Sequence, residues 1–325
     1  MSARVSFGRR AQQFLRERRR LGFQSRSMGY ALRSFARYAD RRAPAGPLTV
    51  ELMAEWARRD HGHSTDPRTW ARRLKILRPF TRWLQQFEPR TAVADDTVFG
   101  PVGERDTPHI YSEQEIGQLL RAAGQLRPAL RGATYSTLFG LLLCTGMRIS
   151  EAIRLRNADV DLKAGVLTVR RTKFAKSRYV PLHGSALEQL RQYRRLRDRS
   201  VTPTEDGAFF VGHRGCRRGQ PLTRRSVDRA LARFRTELHW PNRGAHHAPR
   251  VHDMRHTFIV RRILTWQAQG LDIDRAMLAL STYVGHGMVT NTYWYLTAVP
   301  ELMALAARKF ESKMAPPAPA GGGHA

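Results

Sequence analysis

Apolar residues recur at helical intervals over most of this chain, and one short stretch breaks the pattern. Leu32, Phe35 and Tyr38, and then Leu52, Met53 and Trp56, sit at spacings that bring them to one side of a helix. Asp66 can cap a further helix with Pro67 at its first position, where a missing amide hydrogen costs nothing. Trp70, Leu74 and Leu77 carry that helix's stripe to Pro79, which is expected to kink or end it. Farther on, Ser112 and Glu115 form a capping box ahead of Ile116, Leu119 and Leu120. Thr134 to Thr145 reads as a buried helix closed by Gly146, and Thr223 caps a return to helix. The break lies between: Val166 to Val169 and Tyr179 to Leu182 are short strand-like runs flanking Lys173 and Lys176. The expected fold is therefore α+β, mostly helical with a small sheet.

At 325 residues the chain is long enough for two domains. Residues 1–88 read as a helical N-terminal domain. Residues 89–107 lack periodicity, carry turn formers and read as a linker; 108–312 form the second domain, and the Pro- and Gly-rich end, 313–325, reads as a disordered tail. Lys and Arg number 56 against 27 acidic residues, a net charge of +29, so the surface must attract polyanions, with nucleic acid first among them. Arg72, Arg73, Arg78 and Arg82 crowd the third helix and are candidate phosphate contacts. Two cysteines, Cys144 and Cys216, give no disulfide framework or cysteine-metal spacing. The arginine-rich start lacks a secretory h-region and no stretch is long and apolar enough to span a bilayer, so a cytoplasmic, nucleoid-associated protein is expected.

Three segments carry candidate chemistry. Arg148 follows the glycine that ends the buried helix, and Glu151, three residues on, could orient its guanidinium for gripping phosphate oxygens. In His252-Asp253-Met254-Arg255-His256, the residues 252, 255 and 256 share one helical face. A zinc reading is disfavoured there, because Asp253 stands where zinc proteases need Glu and Arg255 would repel a metal. His256 reads as support for the core. The third segment is Gly285-His286 with Tyr295 nine residues on, and Tyr293 beside it is a rival.

Thr145-Gly146-Met147-Arg148-Ile149-Ser150-Glu151, a lysine between strands, His-x-x-Arg-His, Gly-His and a tyrosine nine residues later together resemble the tyrosine recombinase (phage integrase) family over residues 145–295. The resemblance implies a catalytic domain preceded by a helical core-binding domain, the two forming a C-shaped clamp around double-stranded DNA. It implies that Arg148 and Arg255 bind the scissile phosphate, with Lys173, His252 and His286 assisting, Glu151 in support and Tyr295 as nucleophile. Family spacing prefers Tyr295 over Tyr293 and Lys173 over Lys176, with geometry left to decide. In the family the helix after the tyrosine packs on a neighbouring protomer, implying a homotetramer on two DNA sites. Tyr293-Trp294-Tyr295-Leu296-Thr297 and its continuation through Leu302 look similar to transposon-borne members.

The chemistry is consistent with that implication. Displacement at a phosphodiester without metal requires fixed cations on the developing oxyanion, which two permanently charged arginines supply. The leaving oxygen needs a proton, which a lysine can give. A phenol with a pKa of about 10 needs a base, for which His252 is the candidate. The 3′-phosphotyrosine conserves the bond energy, so neither ATP, metal nor other cofactor is required. The alternative class is a non-catalytic DNA-binding or architectural protein on the same fold.

Overall fold

The computed structural model describes residues 5–23, 26–43, 46–59, 64–103, 105–170, 177–298 and 302–303. Lys173, Lys176, the tail and nearly all of the helix expected after Pro300 lie outside the described residues. The chain divides into two compact units, Met1–Arg105 and Asp106–Ala325.

The first unit holds α1 (Phe7–Arg20), α2 (Arg26–Arg42), α3 (Val50–Arg58) and α4 (Pro67–Leu84). Thr49 and Asp66 accept amide hydrogens at the starts of α3 and α4. The apolar stripes meet in one core that includes Phe14, Leu32, Phe35, Met53, Trp56, Leu74 and Phe80. Pro79 does not end α4, which runs on to Leu84 because Phe80, Thr81 and Leu84 are all buried. Lys75, whose carbonyl loses its amide partner, is exposed and can be hydrated instead.

One sequence expectation is corrected in this unit. Much of the segment 89–107 is not a free linker, since Ala94 is buried in the first core and Val98 and Phe99 pack against it. Ala92 N donates to Leu48 O at 2.8 Å, and the Phe99 ring lies 5.4 Å from that of Trp70. These contacts have no sequence period, so the segment read as loop. The arginines expected to contact phosphate have unlike surroundings. Arg73 donates to the carbonyls of Trp56 and Arg59 and lies over the Trp56 ring, while Arg78 binds Ala94 O and Asp96. Both tie the unit together, and only Arg72 and Arg82 of that set are exposed.

The second unit holds α5 (Glu113–Gly124), α6 (Ala129–Thr145), α7 (Ile149–Ala152), β1 (Val160–Asp161), β2 (Val166–Val169), β3 (Arg178–Pro181), α8 (Gly184–Asp198), α9 (Arg224–Glu237), α10 (Asp253–Ala268), α11 (Ile273–Val284) and α12 (Thr290–Ala298). The strands form an antiparallel sheet in the order β1-β2-β3, with Leu167 opposite Val160 and Val180. Leu167, Val169 and Val180 are buried against α6 and α8 residues such as Leu142 and Leu190. A second cluster, with Phe258, Ile263, Met277, Leu280, Val284 and Tyr295, joins α10, α11 and α12. Tyr111 links the domain's first residues to α10, its amide donating to Thr257 Oγ1 at 2.9 Å and its hydroxyl to Arg250 O at 3.1 Å. Among the described residues no helix is long and apolar enough to cross a membrane.

Candidate active site

Gly146 ends α6 with φ +62, and a Cβ on it would lie 2.4 Å from a ring carbon of Phe258. Only glycine allows this abrupt, closely packed turn. The turn delivers Arg148 to the cap of α7. Glu151 Oε2 accepts from the Arg148 amide at 3.1 Å and Oε1 from its Nη1 at 2.9 Å, while Arg148 Nη2 donates to Gly285 O at 2.9 Å. Burial alone would raise the Glu151 carboxyl, but the hydrogen bond and charge of Arg178, joined by Arg148, hold it below the usual range.

Arg255 is 2% exposed on the first turn of α10. Its Nη1 donates to Gly146 O at 2.8 Å and to Val284 O at 2.7 Å, and its Nη2 is buried with no hydrogen-bond partner among the described residues. Burial, then the nearby Arg148 charge, pushes this guanidinium down to about 10, which leaves it protonated at neutral pH. His252 stands at the cap of α10 with part of its ring exposed. The packing around the rest, and then Arg255 and Arg250, push it down to about 4, so it is a neutral imidazole at pH 7.

Tyr295 is 3% exposed on α12, and its hydroxyl lies 2.8 Å from His256 Nδ1. His256 is therefore more than the core support expected of it; it touches the candidate nucleophile. The His286 ring lies nearly parallel to the Tyr295 ring at 6.4 Å and its Nδ1 is 2.7 Å from Thr292 Oγ1. Tyr293 faces elsewhere, with its hydroxyl 3.3 Å from Asp274. Residues two apart on a helix point in different directions, and here only Tyr295 lies within the cluster.

Burial pushes His256 down to about 2, with His252, Arg250 and Arg255 adding to the effect. An unfolded chain protonates this imidazole below a pH of about 6.5, whereas the folded chain does not until far lower, so stability is lost as pH falls through that value. We expect His256→Gln to flatten the fall in melting temperature between about pH 7 and pH 5. Parallel melting curves for the two proteins across that range would contradict this.

The structure thus brings Arg148, Glu151, His252, Arg255, His256, His286 and Tyr295 into one cluster. Sequence reasoning missed Thr292 and Arg178. Thr292 has no motif signal; Arg178 opens β3, one residue before the strand-like run expected from Tyr179, and no motif marks it.

The Phage integrase family pattern matches residues 110–299. An integrase/recombinase of Sinorhizobium fredii, y4rB, is 36% identical over 315 residues, which cover 95% of this chain and 98% of that one. Tyrosine recombinase XerC of Pseudomonas putida is 27% identical over 255 residues, 77% of this chain and 76% of that one. In fold, the Tn1549 transposon integrase in complex with transposon right end DNA matches with a TM-score of 0.66 at 17% identity, covering 94% of this chain and 99% of that one. On these likenesses the chain belongs to the phage integrase family and is a tyrosine-type, site-specific DNA recombinase.

Proposed function

We propose that this recombinase cleaves duplex DNA through a 3′-phosphotyrosine on Tyr295 and serves the integration or excision of a mobile element. The observation that carries the chemical reading is Arg255 Nη2, a buried cationic donor without a hydrogen-bond partner among the described residues, close to the buried Tyr295 phenol. An unpaired buried donor is costly, and a phosphate oxygen is a fitting acceptor for it. In the proposed step Tyr295 Oη attacks phosphorus while its proton passes to a histidine. His256 is in contact for that transfer, whereas sequence alone favoured His252. The bond from phosphorus to the 5′-oxygen breaks, and that oxygen takes a proton from Lys173, leaving a 5′-hydroxyl. Arg148 and Arg255 hold the oxyanion, with His286 beside the phenol.

Exposed cations support DNA as the partner. Arg224, Arg225 and Arg229 are exposed along a surface groove that Asp228 and the half-buried Arg235 and Arg250 also line, and Arg33, Arg37 and Arg41 form an exposed stripe on α2 as Arg72, Lys75 and Arg82 do on α4. The mobile-element role rests on likeness to a transposon integrase and to the Sinorhizobium integrase/recombinase. The same reading takes the active form as a homotetramer on two DNA sites, joined through the C-terminal helix.

The test is a duplex carrying the element's end with a nick next to the scissile position, so that the cleaved strand diffuses away. A covalent adduct that resists boiling in detergent and forms in the presence of chelator is expected. Salt-sensitive binding to every such duplex with no adduct would favour the non-catalytic alternative.

A further inference from the structure

Helix α11 ends in three consecutive carbonyls, and each accepts from a different arginine. Arg178 Nε donates to Tyr283 O at 2.9 Å, Arg255 Nη1 to Val284 O at 2.7 Å, and Arg148 Nη2 to Gly285 O at 2.9 Å. Those arginines come from β3, α10 and the cap of α7. A helix C-terminus offers unpaired carbonyls and partial negative charge, which offsets the repulsion among three guanidinium groups gathered there. Gly285 leaves room for them: its φ is +72, and a Cβ on it would lie 2.7 Å from Arg178 Nη1. His286 follows directly.

Arg148 and Arg255 have roles in the proposed chemistry, but Arg178 has none. Its side chain is 11% exposed, and each of its three nitrogens donates a hydrogen bond. Besides Tyr283 O, it holds both Glu151 oxygens, Nη2 to Oε2 at 2.8 Å and Nη1 to Oε1 at 3.2 Å. Glu151 in turn grips the amide and the guanidinium of Arg148. A buried carboxylate held by one arginine can swing; one held in a fork by a second arginine cannot. Of the groups that keep Glu151 ionised despite its burial, Arg178 contributes ahead of Arg148.

We infer that Arg178 is a positioning residue for strand cleavage: it locks Glu151 to the last turn of α11 and so fixes the direction of Arg148 and the place of His286. The inference rests on the reading of this cluster as a phosphoryl-transfer site. Misplacing a transition-state contact by a fraction of an ångström lowers the rate of the chemical step more than it weakens ground-state binding.

The test uses the full chain with the nicked duplex in single-turnover conditions. We expect Arg178→Ala to slow adduct formation at saturating DNA on the order of a hundredfold while DNA affinity changes less than about threefold. Because Arg178 acts through Glu151, the Arg178→Ala/Glu151→Gln double variant should be about as slow as the slower single one, not slower by the product of both losses. Arg178→Lys, which keeps the charge without the fork, should fold with a nearly unchanged melting temperature and still lose about tenfold, giving a measurement even if the alanine variant fails to fold. Arg178→Lys cleaving at the wild-type rate, or losses that multiply in the double variant, would overturn the inference. A wild-type chain that forms no adduct would overturn the reading of the site itself, and the inference with it.

Discussion

Tyr295→Phe is expected to remove covalent adduct formation, a loss on the order of ten-thousandfold or more, while Tyr293→Phe stays within about threefold of wild type. The two tyrosines differ by one hydroxyl's surroundings. Tyr295 Oη is buried against His256 in the cluster that contains Arg255, whereas Tyr293 is exposed and its hydroxyl faces Asp274. Removing the Tyr295 hydroxyl leaves the ring in the buried cluster that also holds Phe258, Ile259 and Val284. The imidazole that loses its partner keeps its ring contacts with His252 and Trp294, so the cost should be about 1–3 kcal/mol and the variant should fold. Loss of adduct with a melting temperature only a few degrees lower and unchanged DNA binding would therefore report chemistry. An undiminished adduct from Tyr295→Phe would exclude Tyr295 as nucleophile.

Arg255→Ala should be the next most damaging change, and it should damage two properties at once. One nitrogen of this guanidinium serves the fold by joining Gly146 O to Val284 O; the other is left for the substrate. Alanine strands two buried carbonyls and opens a cavity, which should cost about 2–5 kcal/mol. Cleavage should fall on the order of a thousandfold or more because a fixed charge on the oxyanion is gone. Arg255→Lys separates the effects. An ammonium can neutralise some of the lost charge but cannot bind two carbonyls and a phosphate oxygen in one plane, so about a hundredfold loss should persist in a folded protein. Wild-type cleavage by Arg255→Lys would show that charge alone, without the planar fork, is enough.

Helical intervals, caps and the turn at Gly146 were legible because each depends on residues close in sequence. Ser112 with Glu115, Asp66 with Pro67, and Thr223 all sit where their chemistry predicts. The cluster around Tyr295 was legible for a different reason: motif order in a known family, which orders residues without giving their contacts. Contacts that reach across the fold were not legible. Nothing near Arg73 or Arg78 says that each will be used on backbone carbonyls, and nothing near residue 94 says that an irregular segment will close a core. His256 was read as support because a histidine on a buried helix usually is; the neighbour that changes its meaning stands 39 residues away.

Two of the three carbonyls ending α11 reach Arg148 and Arg178 across 137 and 105 residues of chain, and Gly146 is tied to Arg255 across 109. Contacts of such span form late, since each must overcome the entropy of closing a long loop. A partly synthesised or partly unfolded chain would therefore present its arginines to DNA singly, able to cling to the backbone but not to cut it. Breakage of DNA is thus reserved to molecules whose domain has folded throughout.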